Sequence, residues 1–281
     1  MHLYKTTSGN ILQHKGESFL LQDEWNELIN HENLHHYLLQ LSSDAEKIEN
    51  NEASGIIATQ IMAPLEKQEV WAAGVTYLRS RDARMEESKE AGGAYFYQKV
   101  YEADRPELFF KSLPHRVAAH NSLVYIRKDS EWNVPEPELT LYINSNGNIQ
   151  AYTIGNDMSS RSIEGENPLY LPQAKVYERS TALGPCLYIP AEPLSKESSI
   201  SIIINRNSEK IFAQSIQLNR MKRQWGELVE YLYRGCDFEY GCFLMTGTGM
   251  VPGNDFTLAA GDEIIISIEH IGTLRNVVAV K

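Results

Sequence analysis

Residues 136–157 constrain this chain more than any other stretch. Two β-patterned runs are joined there by Asn146-Gly147, the dipeptide that most strongly signals a tight hairpin turn. With Asn146 and Gly147 as the two central turn residues, Tyr142 faces Ala151, Thr140 faces Thr153, Glu138 faces Gly155 and Glu136 faces Asp157. Side chains two apart share a strand face. Glu136 and Glu138 therefore point together, while Leu139, Leu141 and Ile143 point the other way into a core, beside Tyr152 and Ile154. A three-residue turn would shift this register by one and weaken the geometry.

The register gathers three carboxylates on one face, the facing pair about 5 Å apart at Cβ. Gly155 leaves space opposite Glu138. Carboxylates this close repel one another unless they share a cation. An all-oxygen set suits Mg²⁺, Mn²⁺ or Ca²⁺ better than zinc or copper. The Glu-x-Glu pair alone would read as a solvated polar face; Asp157 turns the reading toward metal.

The remaining sequence sets the frame. At 281 residues the chain is long enough for one or two domains, with an ordinary globular share of 42% hydrophobic and 22% charged residues. A net charge of −11 argues against a general nucleic-acid or anionic-membrane binder, though not against a local basic pocket. Cys186, Cys236 and Cys242 show no Cys-x-x-Cys spacing, which fits reduced thiols. No apolar run reaches the ~18 residues of a membrane span, and residues 1–15 lack the apolar core of a signal peptide. A cytoplasmic protein is expected.

Residues 1–65 read as a small N-terminal domain. Asp23 is placed to cap a helix carrying Trp25, Leu28 and Ile29 inward, a second helix covers 34–41, and 42–54 is polar. Residues 66–281 read as a catalytic, metal-binding domain. It opens with a strand at 70–75 and a very polar helix at 78–90 ended by Gly92 and Gly93, a surface helix or a lid. Short apolar or alternating runs follow at 108–110, 123–126, 139–143, 149–154, 187–189, 201–205 and Glu263–Ile268, with one amphipathic helix, Trp225–Tyr233. Many strands with a few segregated helices mean α+β.

Two motifs carry little. His31, Glu32 and His35 match His-Glu-x-x-His, but Asn30 and Asn33 are poor helix formers and the motif lies apart from the other chemistry. The glycine-rich 246–253 is not a dinucleotide fingerprint, because Pro252 follows where a helix should begin. It reads as a tight turn or as a backbone wall that a small ligand can approach.

Trp132-Asn133-Val134-Pro135-Glu136-Pro137-Glu138-Leu139 and Tyr152-Thr153-Ile154-Gly155-Asn156-Asp157-Met158-Ser159 resemble the fumarylacetoacetate hydrolase family. So do Gly184-Pro185, Thr246-Gly247-Thr248-Gly249, Gly261-Asp262 and Ile271-Gly272-Thr273-Leu274-Arg275-Asn276. The resemblance runs over residues 70–281. It implies a β-rich catalytic fold and a divalent metal, usually Mg²⁺, on Glu136, Glu138 and Asp157. It also implies a homodimer or homotetramer. Ser160-Arg161-Ser162 departs from the family's usual Ser-Arg-Asp, which puts support of the site in question.

Gly74-Val75-Thr76-Tyr77-Leu78-Arg79-Ser80-Arg81, Arg105-Pro106-Glu107-Leu108-Phe109-Phe110-Lys111 and Glu164-Gly165-Glu166-Asn167-Pro168 are similar to the family's 2-keto-3-deoxy sugar-acid dehydratase branch. That branch converts a 2-keto-3-deoxypentonate of arabinonate or xylonate type into 2-oxoglutarate semialdehyde and water. A 2-keto acid presents its carboxylate and carbonyl to a hard cation, which draws charge from the carbonyl as a C3 proton leaves. The resemblance assigns proton transfer to Lys175, which desolvation would make basic, and to Glu107, whose apolar surroundings would raise its pKa. Arg79, Arg81 and Phe110 are expected at the substrate and Thr273 at its carboxylate.

Two other classes stay open: a hydrolase cleaving a C–C bond in an acylpyruvate, and a metal-holding protein without chemistry. Hydrolytic relatives carry a His and a Glu three residues later in the lid helix. This chain has Ser80 and Ala83 in those places, and no histidine from Trp71 to Arg105.

Overall fold

The structure, a computed structural model, describes residues 1–87 and 94–281. Among these residues an eleven-stranded sheet runs in the order Glu46–Ile48, Glu17–Leu21, Gly9–His14, His2–Thr6, Thr181–Tyr188, Ile149–Ser160, Asn133–Ile143, Cys242–Met245, Glu69–Gly74, Glu107–Ser112, with Val117–Ala118 beside Thr181–Tyr188. A five-stranded sheet runs Glu209–Gln217, Ser199–Arg206, Glu263–Ile268, Gly272–Val280, Ser122–Ile126. The helices are segregated from a mostly antiparallel framework, so the class is α+β.

The two sheets enclose the main core. Leu139, Leu141 and Ile154 pack there with Ile202, Ile204, Ile264 and Ile266, and the Trp225–Tyr233 helix adds Trp225, Leu228 and Leu232. The central hairpin is also buried on its second face. At its turn end Tyr142 and Ala151 are covered by Trp25, Leu28, Leu34 and Leu38 of the N-terminal helices. That cover leaves the opposite end of the same face, where Glu136, Glu138 and Asp157 lie, to a site.

The hairpin reaches the expected register by a different route. The loop is longer than two residues: Ile143 pairs with Ile149, and Gly147 takes φ +77°. A bulge at Gln150 then takes up one residue, the usual consequence of one unpaired residue in a ladder. Beyond it Tyr142 faces Ala151, Glu138 faces Gly155 and Glu136 faces Asp157. The bulged side chain is used: Gln150 accepts from the Leu34 amide at 2.9 Å and donates to the Glu32 carbonyl at 2.9 Å.

The first 65 residues hold more β-structure than their sequence suggests. Strands His2–Thr6, Gly9–His14 and Glu17–Leu21 extend the large sheet, His2–Thr6 pairing with Thr181–Tyr188. The polar 42–54 segment contains strand Glu46–Ile48 and the start of helix Asn50–Gln60. Trp25, Leu28 and Ile29 are buried, but Asp23 does not cap their helix; Glu24 holds that position without a side-chain cap. His31 lies in the loop before helix Leu34–Asp44 and stacks on Tyr37, so it does not share a helical face with His35. The polar helix is described over Leu78–Glu87, and a second helix, Ala94–Glu102, packs with it. The expected helix end at Gly92 and Gly93 lies outside the described residues.

Candidate functional site

Strand parity builds the site. Glu136 and Glu138 project from Asn133–Ile143 and Asp157 from Ile149–Ser160, exposed by only 4%, 1% and 1%. One carboxylate oxygen from each lies within 4.8 Å of the others. The space opposite Glu138 is not open: a Cβ on Gly155 would meet Thr140 Oγ1 and the Met245 methyl, which fill it.

The three acids do not share one electrostatic environment. Burial opposes ionisation of Glu136, but Lys175, Arg161 and Arg84 outweigh it and hold the carboxyl well below its usual value. Lys175 Nζ donates to Glu136 Oε2 at 2.9 Å, and Arg161 pairs with Oε1. Among the described residues Glu138 has no ion-pair partner, and the more distant Lys175 lowers its pKa only in part. Burial first, then the charges of Asp157 and Glu136, push it well above the ordinary carboxylate range, and a 2.6 Å hydrogen bond from the Gly247 amide offsets only part of this. A buried carboxyl whose pKa stays raised despite Lys175, beside two more carboxylates, is the donor set a hard divalent cation completes. The residues present fit Mg²⁺.

A ring of cations surrounds the acids. Lys175 is fully buried, its Nζ 2.9 Å from both Glu136 Oε2 and Asp157 Oδ2 and bonded to Ser159 Oγ. Lys111, from the Glu107–Ser112 strand, lies 2.8 Å from Asp157 Oδ1. Arg84 of the polar helix pairs with buried Glu164.

Glu107 reaches the same region through a missing side chain. It pairs across the sheet with Gly74, where a Cβ would sit 2.0 Å from Glu107 Oε2. That oxygen is buried without a hydrogen-bond partner among the described residues, and burial, reinforced by Glu136 and Asp157 against Arg84 and Lys175, raises the carboxyl's pKa. Gly74→Ala is therefore expected to displace Glu107 rather than unfold the chain. Turnover should fall at least tenfold with Mg²⁺ affinity unchanged, measured by steady-state kinetics and titration calorimetry.

Next to Gly74, Val75 adopts φ +53°, a strained conformation for a β-branched residue. The chain beyond it is clamped: Thr76 Oγ1 donates to the Thr246 carbonyl at 2.7 Å, and the Lys222 amide donates to the Thr76 carbonyl at 2.9 Å. The strain turns the chain from strand into polar helix beside a small cavity lined by Ser80, Arg84, Phe109, Glu136, Asp157 and Lys175, among others.

The remaining expected contacts fall elsewhere. Arg79 is exposed on the outer side of the helix. Arg81 pairs with Asp82 and lies over Tyr101. Phe110 points to the opposite sheet face and meets Trp71 edge-on, whereas Phe109 lines the cavity with Lys175 Nζ 5.9 Å from its ring. Thr273 is exposed on the five-stranded sheet and bonded to Ser267. Sequence reasoning missed Lys111, Arg84 and Arg161. Lys111 was within reach, because Glu107, Phe109 and Lys111 share one strand face.

Ser162 supports the site by a short route. Its Oγ accepts the amides of Glu131 and Trp132 at 3.1 and 2.9 Å, fixing the turn that enters the Glu136 strand. A carboxylate there would accept the same two amides.

The family profile described as fumarylacetoacetate (FAA) hydrolase, C-terminal, matches residues 70–279. A Haloferax volcanii protein named probable 2-keto-3-deoxyxylonate dehydratase is 43% identical over 238 residues, covering 84% of this chain and 80% of its own. The 2-dehydro-3-deoxy-D-arabinonate dehydratase of Saccharolobus solfataricus is 41% identical over 219 residues, covering 76% and 73%. A solved structure of 2-keto-3-deoxy-D-arabinonate dehydratase, complexed with magnesium and 2,5-dioxopentanoate, aligns with TM-score 0.82 and 30% identity over 100% of this chain and 98% of the other.

Proposed function

The chain belongs to the fumarylacetoacetate hydrolase family, and from that premise we propose that it is a magnesium-dependent hydro-lyase that converts a 2-keto-3-deoxypentonate, of arabinonate or xylonate type, into 2-oxoglutarate semialdehyde and water. One observation carries the reading beyond the relatives' names. One cavity brings Glu136, Asp157 and Lys175 together, with Glu107 alongside and no histidine among its described lining residues. Elimination needs a base and an acid; hydrolysis also needs an activated water.

Glu136, Glu138 and Asp157 hold the metal. When bound, Mg²⁺ supplies the positive charge that a 2-keto acid's carboxylate and carbonyl oxygen require. Lys175, once it has released one ammonium proton to solvent, takes the C3 proton as the neutral amine. Glu107, whose buried carboxyl keeps its proton above the usual carboxylate range, donates it to the departing C4 hydroxyl, and tautomerisation completes the aldehyde. Arg84 and Ser80 face the hydroxylated end of the substrate, the role expected of Arg79 and Arg81, and Phe109 keeps water from Lys175.

Residues 1–65 form a small N-terminal unit that extends the sheet of the catalytic unit, 66–281. Three free cysteines, two of them buried, suit a reducing compartment such as the cytoplasm, and the homo-oligomer is carried over from the family resemblance. No helix among the described residues is long and apolar enough to cross a membrane.

The test supplies each 2-keto-3-deoxypentonate stereoisomer and acetylpyruvate, with and without Mg²⁺, and identifies products. Mg²⁺-dependent semialdehyde formation from at least one pentonate is expected, with acetylpyruvate cleaved far more slowly. Efficient acetylpyruvate cleavage with no turnover of any pentonate would overturn the reading.

A further inference from the structure

Lys111 has no part in the proton transfers above, yet it is among the most completely buried side chains of the molecule, with no exposed surface. Its surroundings are specific. Nζ donates to the carbonyls of Met158 at 3.3 Å, Ser180 at 2.9 Å and Lys175, and to Ser180 Oγ at 3.2 Å, while Asp157 Oδ1 lies 2.8 Å away. An ammonium has three protons, and five oxygens crowd this one. Those oxygens belong to three chain segments: the strand end that carries Asp157, the end of helix Leu171–Lys175, and Ser180 just before strand Thr181–Tyr188.

From this geometry we propose that Lys111 is a positioning residue for the metal centre. It fixes the Asp157 carboxylate so that Oδ2 alone faces the cavity, and it anchors the main chain of Lys175. The proposal rests on the reading of Glu136, Glu138 and Asp157 as metal ligands. Such outer partners of a ligating carboxylate typically carry tenfold to hundredfold in metal affinity.

Coulomb's law and positioning predict opposite signs. Lys111 is a cation beside a cation site, so removing its charge without losing any geometry would tighten Mg²⁺ binding. If Lys111 holds Asp157 in place, removing it weakens binding. A purely structural role would lower the unfolding temperature equally with and without Mg²⁺.

The experiment measures Mg²⁺ binding by calorimetry, and the Mg²⁺-induced rise in unfolding temperature, for the parent, Lys111→Met and Ser180→Ala, all stripped with chelator. The parent should bind one Mg²⁺ per chain; failure of the parent to bind would sink the metal reading itself. Lys111→Met is expected to bind Mg²⁺ about tenfold to a hundredfold more weakly and to lose most of the Mg²⁺-induced rise. Ser180→Ala removes one hydroxyl anchor of Lys111 and should weaken binding a few-fold. Unchanged or tighter binding in folded Lys111→Met overturns the proposal. Should Lys111→Met not fold, unchanged binding in Ser180→Ala overturns it.

Discussion

Glu138→Gln is expected to unfold at a higher temperature than the parent when both are free of metal, and at a lower one once Mg²⁺ is added. The crossing follows from the sign of the pKa shift. Glu138 is pushed up by burial and by two neighbouring carboxylates. A carboxyl whose folded pKa exceeds its unfolded value opposes folding at every pH above the unfolded value. The amide escapes that cost, so the metal-free variant gains. With Mg²⁺ present the parent gains binding energy that the variant lacks. Activity should show the larger effect. The two carboxylates left behind already have Lys175 between them, so a divalent ion must compete with an ammonium for what remains. Loss of a metal's several kcal/mol of charge stabilisation corresponds to about a thousandfold or more in kcat/KM. Melting curves with and without Mg²⁺, beside calorimetry, test both halves. A variant that binds Mg²⁺ as tightly as the parent would remove Glu138 from the ligand set.

How far such a site is legible in a sequence depends on which physical rule places each residue. The carboxylate triad is set by strand parity and a hairpin, both local, so it could be read from residues 136–157 alone. The turn was longer than its dipeptide suggests, but the core face of Leu139 and Leu141 tolerates only one register, and the Gln150 bulge restores it. Strand Glu107–Ser112 shows the limit of the same rule. Parity from Glu107 selects Phe109 and Lys111, whereas the resemblance carried Phe110, which faces Trp71. The polar helix is harder still. A helix so rich in charge has no apolar stripe to fix which side turns inward, so Arg79 and Arg81 could not be told from Arg84. What decides is Val75, whose positive φ aims the helix, and a strained residue of that kind leaves no local sequence signal. The N-terminal strands were missed although their pairing is mostly local: His2–Thr6, Gly9–His14 and Glu17–Leu21 form a meander through two-residue turns, and neither Thr7-Ser8 nor Lys15-Gly16 is one of the Asn-Gly or Asp-Gly dipeptides that flag a hairpin.

Exchanging the two proton-transfer groups separately should split the reaction. Lys175→Met and Glu107→Gln are each expected to lower kcat by about a hundredfold to ten-thousandfold, the range of a lost general acid or base, yet by different failures. In Lys175→Met the C3 proton has no acceptor, so substrate recovered from D₂O should carry no deuterium at C3. Metal loss cannot account for that result: removing the ammonium that bridges Glu136 Oε2 and Asp157 Oδ2 takes away a competitor of Mg²⁺, and calorimetry should find binding as tight as the parent's or tighter. In Glu107→Gln the base is intact but the leaving hydroxyl lacks its donor, so C3 should exchange with solvent while semialdehyde hardly forms. The pH profile gives an independent sign. Burial raises the Glu107 carboxyl, and an acid is active while protonated. The parent's kcat should therefore fall as pH climbs through that raised value, and the residual rate of Glu107→Gln should show no such limb. Exchange that survives in Lys175→Met and disappears in Glu107→Gln would reverse the two roles, because only the group that takes the C3 proton can return a deuteron to the same carbon.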